Sequence, residues 1–199
     1  MELLQDRWLK LWFLWIVAIA IGNSRMSATI SELLTSIIYV DYYSPLFFLL
    51  IPLYFIFNGG ISGIAQWLVL RNYIDISGWS WIFTTILGSV ISTYVLDIGM
   101  GSSLAEFIIY SGIIGLLVGS MQWLILRHKI KHAGWWILIL IAGHMISAVA
   151  VIVIFNLFKS ATFRTDILTS ILYGAITGAG LVILLMQPSK EKMSAGRFA

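Results

Sequence analysis

The chain has 199 residues, 60% of them hydrophobic and only 11% charged, with a net charge of +3 and no cysteine. Soluble domains carry about 25% charged residues, so this chain cannot cover a globular surface with polar groups. Its mean hydropathy of +0.96 points to lipid as its solvent. The lack of cysteine excludes disulfides and thiolate metal sites.

A spanning helix needs about 17–25 mostly apolar residues. Six stretches meet or approach this, in chain order Trp8–Ile21, Pro45–Leu70, Trp79–Leu96, Leu104–Leu126, Trp135–Phe158 and Ile167–Met186. The first is the least clean, because Asn23, Ser24 and Arg25 follow it. Its Ala18-Ile19-Ala20 also allows a cleaved signal peptide. Glu2 and Asp6 beside Arg7 and Lys10, and a run rich in Trp, speak against cleavage. Between the first two stretches Met26, Ile30, Leu33 and Ile37 recur at helical spacing among polar residues, which predicts an amphipathic segment near residues 26–40. Ser103 with Glu106 three residues on reads as a capping box opening the fourth helix.

Lys and Arg favour the cytoplasmic side of a membrane. Nine of the twelve (Arg7, Lys10, Arg71, Arg127, Lys129, Lys131, Lys190, Lys192 and Arg197) fall on one side of a six-span arrangement. Arg25, Lys159 and Arg164 fall on the other. Both termini are therefore expected in the cytoplasm, with the chain in a bacterial inner membrane.

One thirteen-residue pattern occurs twice, as GGISGIAQWLVLR from Gly59 and as GLLVGSMQWLILR from Gly115. At the same offset Gly78-Trp79 matches Gly134-Trp135, and with the offset changed by one GSVIS from Gly88 matches GHMIS from Gly143. A weaker third copy sets Gly174 and Gly178 beside Gly59 and Gly63, while Trp15 and Gly22 echo Trp81 and Gly88. The predicted fold is all-α: a polytopic bundle of six transmembrane helices in three tandem, parallel hairpin repeats. These cover about residues 8–71, 78–127 and 134–187, with 188–199 as a cytoplasmic tail. Parallel repeats point to a pseudo-threefold arrangement about an axis along the membrane normal, with an irregular packing of three hairpins as the alternative.

Small-xxx-small followed by Gln66-Trp67-Leu68-Val69-Leu70-Arg71, its copy Gln122 to Arg127, and Ala133-Gly134-Trp135-Trp136 resemble a group of bacterial multi-pass membrane proteins of uncharacterised function. The resemblance covers most of the chain beyond residue 58 and implies fold and location, not an activity.

Helices in lipid associate through close packing and interhelical hydrogen bonds. Gly59, Gly63 and Gln66 share one helix face, as do Gly115, Gly119 and Gln122, so each pattern reads as a groove followed by an amide that bonds across it. Trp67 with Arg71, and Trp123 with Arg127, form interface anchors with each guanidinium near a ring. A binding role for the two Gln residues is the alternative.

Asn23, Ser89 and His144 follow the aligned glycines and form a candidate midplane polar cluster. His144 lies nine residues past Trp135, about 13.5 Å along a helix in a bilayer core about 30 Å thick. Polar residues at that depth face the bundle interior and are functional candidates, though each can also bond locally. His128 and His132 have metal-ligand spacing on a helix, but a basic patch toward anionic headgroups suits their Lys neighbours better.

No nucleotide-binding, metalloprotease or serine-hydrolase signature occurs. The expected function is non-enzymatic: an accessory or partner subunit of a membrane transport or envelope system. The alternative is a small carrier or exporter with a polar pathway along the repeat axis, and an intramembrane enzyme comes last. Expected partners are membrane lipids, through anionic headgroups at the cytoplasmic face, and another membrane protein; no nucleic acid, cofactor or metal is expected.

Overall fold

Long apolar runs can enter lipid only if their backbone groups are satisfied internally, and the helix does this within one segment. The computed structural model is described over residues 2–22, 45–99, 103–158 and 163–187. Among these residues the chain is helical, with short turns and no strand. The helices are α1 (Glu2–Gly22), α2 (Pro45–Leu70), α3 (Gly78–Gly99), α4 (Leu104–Leu126), α5 (Trp135–Phe158) and α6 (Phe163–Met186). Asn23, the amphipathic segment near 26–40 and the tail 188–199 lie outside the described residues.

Four helices, α2, α4, α5 and α6, are long and apolar enough to cross a membrane. The other two are less apolar for visible reasons. Helix α1 opens with Glu2, Asp6, Arg7 and Lys10. Helix α3 carries Thr85, Ser89 and Ser92, whose hydroxyls donate to the carbonyls of Trp81, Thr85 and Ser89 at 2.9, 2.9 and 2.7 Å. Such local bonds keep a hydroxyl satisfied inside a helix bundle.

Each helix packs on its neighbours in chain order, and α6 packs back on α1, so the six form a closed ring. The closest pairs are α2 with α3, α4 with α5, and α6 with α1. The polarity is inverted relative to a soluble protein. Gln66, Thr85, Ser92, Gln122, Ser170 and Thr177 are buried, whereas Phe13, Trp79, Leu138 and Ile183 are exposed. An apolar outside and a partly polar inside suit a lipid solvent.

One end of the ring gathers the basic loops. Tyr73, in the turn after α2, donates to the Arg7 carbonyl of α1 at 3.3 Å and stacks on Trp8. Burial raises the Tyr73 phenol above its ordinary pKa, against the pull of Arg7. Asp75 reaches Lys129 at 3.8 Å, joining the two loops. The end of α6 lies beside the start of α1, with Met186 and Gln5 bordering one groove. The predicted capping box is present at the opposite end of α4: Ser103 Oγ accepts from Glu106 N at 3.2 Å, and Glu106 Oε2 accepts from Ser103 N at 3.1 Å.

Candidate functional site: an axial cavity above a tryptophan–amide layer

The predicted glycine seams are formed. A Cβ at Gly63 would lie 3.0 Å from Ile82 Cα, and one at Gly119 would lie 3.1 Å from Ile137 Cα. Gly59 faces Ile86 Cα at 2.9 Å, and Gly115 faces the Leu140 carbonyl at 2.6 Å. Only a missing side chain lets two backbones approach so closely. In the third pair Gly174 faces Ile16 Cα at 2.9 Å. It therefore stands where Gly63 and Gly119 stand, one helical turn from the position that sequence matching gives it beside Gly59 and Gly115. Ser170, Gly174 and Gly178 form a run of small residues that fits two registers, and packing selects one.

This register shows what replaces the lost glutamine. Trp81 Nε1 donates to Gln66 Oε1 at 3.3 Å, Trp136 Nε1 donates to Gln122 Oε1 at 2.9 Å, and Trp15 Nε1 donates to Thr177 Oγ1 at 3.0 Å. Each bond joins the two helices of a close pair. All three indoles are at most 1% exposed, and Trp15 meets Trp136 edge-on with centroids 5.9 Å apart. Gln122 spends its two N–H groups on Gln66 Oε1 at 3.1 Å and Thr85 Oγ1 at 3.0 Å, while Gln66 Nε2 reaches Ser62 at 3.1 Å. The predicted amide bonds across the seam are thus made. Buried amides with every group partnered are stabilising rather than costly.

The three tryptophans are the site residues that sequence reasoning passed over. Their signal was present: each stands seven residues before one of the aligned glycines Gly22, Gly88 and Gly143. With Leu11, Leu70, Leu126, Leu140, Leu181 and Leu184, all buried, they close the ring toward its basic end.

Beyond this layer, on the side away from the basic loops, lies a cavity of about 280 Å³ with walls from all six helices. Ser89 and His144 both line it. They stand eight residues from Trp81 and Trp136 respectively, about 12 Å along each helix. The structure thus brings two of the three midplane candidates to one cavity, and the third, Asn23, is outside the described residues. The His144 ring packs against Tyr173 with centroids 4.5 Å apart. Asn58, Ser62, Ser92, Ser111 and Ser147 add polar groups to the wall. Asn58 Oδ1 and Ser147 Oγ are buried there without a hydrogen-bond partner.

No family model, curated protein or solved structure matches this chain.

The basic rim is distinct from the cavity. Arg71 lies over the Trp67 ring at 5.3 Å, and Arg127 over the Trp123 ring at 5.2 Å, as the spacing predicts. Arg7 makes a third such contact, 5.5 Å from Trp8 and 5.4 Å from Tyr73. The matched glycines Gly78 and Gly134 differ in role. A Cβ at Gly78 would come within 2.6 Å of the Trp67 ring, and one at Gly134 would meet nothing within 4 Å. His128 Nε2 accepts from Arg127 Nε at 3.2 Å.

Proposed function

We propose that this chain is a six-span, non-enzymatic protein of the bacterial inner membrane, with three like-oriented hairpins and both termini cytoplasmic. We further propose that it acts as a carrier whose small solute occupies the axial cavity. The carrying observation is the cavity itself, drawn from all six helices, walled by hydroxyl and amide side chains among apolar ones, and lined by Ser89 and His144. Polar side chains at membrane depth are expensive unless they face such a space. The three like-placed tryptophan bonds support the threefold reading, and the gathering of basic loops at one end supports the orientation. The accessory-subunit reading has no comparable feature, since the outer surface is the apolar kind that lipid itself covers.

The chain has no cysteine, so single cysteines can be placed without background. His144→Cys in intact membranes is expected to react with a membrane-impermeant thiol reagent, and Val149→Cys, on an exposed outer position, is expected to stay unlabelled. Equal silence at both positions, with the His144→Cys protein present at normal abundance, contradicts the carrier.

A further inference from the structure

The chemistry of the cavity wall narrows the solute. We propose that the axial cavity takes a small uncharged molecule bearing several hydroxyl or amide groups, of the polyol or urea type. This rests on the carrier reading above.

The first argument is charge. Among the described residues lining the cavity, none is Asp, Glu, Lys or Arg, and the ionisable ones are His144 and Tyr173. An ion taken from water into a low-dielectric site needs a counter-charge or dense coordination to replace its hydration. A phosphate, a carboxylate or a divalent cation finds no such partner in these walls.

The second argument is hydrogen-bonding capacity. Ser92 and Ser111 donate to carbonyls of their own helices at 2.7 and 2.8 Å, which leaves their oxygen lone pairs to a guest. A guest rich in O–H or N–H groups exchanges hydrogen bonds with the hydroxyls and amides of the wall, whose hydroxyl rotors turn to accept or donate as it requires.

The third argument is size. One water needs about 10–15 Å³ of cavity space, so a cavity of about 280 Å³ admits a compact polyol or urea.

The experiment is stopped-flow light scattering on proteoliposomes of the full chain after a hyperosmotic step with glycerol or urea. The expected result is reswelling several-fold faster than in protein-free vesicles. Ser147→Leu or Asn58→Leu, which block opposite walls, should return it to the protein-free rate, while the outward-facing Val149→Leu should keep it. Two cavity variants guard against one that merely fails to fold. Protein-free rates for both glycerol and urea overturn the solute class. In that event, entry of methylammonium or phosphate, or thiol labelling at His144→Cys, leaves the carrier standing with a different solute; absence of all three removes the carrier as well. Glycerol or urea entry that survives both leucine variants places the path outside this cavity and also overturns the proposal.

Discussion

Two parts of the ring perform the same packing with different chemistry. In the pairs α2–α3 and α4–α5, a tryptophan donates to a glutamine, and a short loop opened by an arginine joins the two helices. In the pair α6–α1, Trp15 donates to Thr177, and the partners stand 162 residues apart in sequence. The backbone approach is nearly identical: Cβ positions at Gly63, Gly119 and Gly174 fall 3.0, 3.1 and 2.9 Å from an isoleucine Cα. The close pair therefore does not depend on a connecting loop. It follows from a small residue opposite an isoleucine and a tryptophan opposite an acceptor.

The acceptor decides what happens next. Gln122 has two N–H groups and uses both to reach Gln66 and Thr85, tying four helices into one polar network. Thr177 has a single hydroxyl proton, which goes to the Tyr173 carbonyl at 2.8 Å. Its hydroxyl has no proton left to reach a further helix, so toward α5 the α6–α1 pair offers packing alone, with Trp15 edge-on to Trp136 and the Thr177 methyl 3.0 Å from a Cβ at Gly143.

Gln122→Leu should break this difference most severely. It orphans Trp136 Nε1 and removes a donor from both Gln66 and Thr85, and several simultaneous losses at about 0.6–2 kcal/mol each predict about 2–4 kcal/mol of destabilisation. Denaturant titration in mixed micelles measures it. Gly115→Ala comes next, because its Cβ would sit 2.6 Å from the Leu140 carbonyl; overpacking of this kind costs about 1–3 kcal/mol, read by the same titration. Thr177→Val removes one acceptor while keeping the shape, with an expected loss of about 1 kcal/mol. An effect as large as that of Gln122→Leu would show that the third pair is tied as tightly as the others. Arg71→Ala loses an exposed cation–π contact worth about 0.5–1 kcal/mol, and should shift the midpoint least.

Much of this was legible in the residues. The six helices fall where apolar length places them, with Leu104–Leu126 and Trp135–Phe158 reproduced at both ends. Local devices were also readable, because their partners lie within one turn: the Ser103–Glu106 box, the glycine faces, and arginine over tryptophan. Trp15, Trp81 and Trp136 were not assigned, since aromatic residues in a membrane chain read first as interface anchors and their acceptors lie on other helices. Thr177 was hidden by the double register of Ser170, Gly174 and Gly178. The cavity was visible only as polar residues at a common depth. That Ser89 and His144 share one space follows from the closure of the ring, which no single-helix pattern encodes.

That closure is the central claim, and disulfide trapping tests it most directly. A Cβ at Gly174 would lie 2.9 Å from Ile16 Cα, so the two positions face each other across the seam, and a small separation of the helices brings cysteines there to the spacing of about 3.5–4.5 Å between disulfide Cβ atoms. Oxidation of the Ile16→Cys, Gly174→Cys double variant in native membranes should join the two helices within one chain, and the Ile16→Cys, Gly178→Cys variant should join them poorly. Efficient trapping of the second pair and not the first would contradict the register. Failure of both pairs would contradict the closed ring.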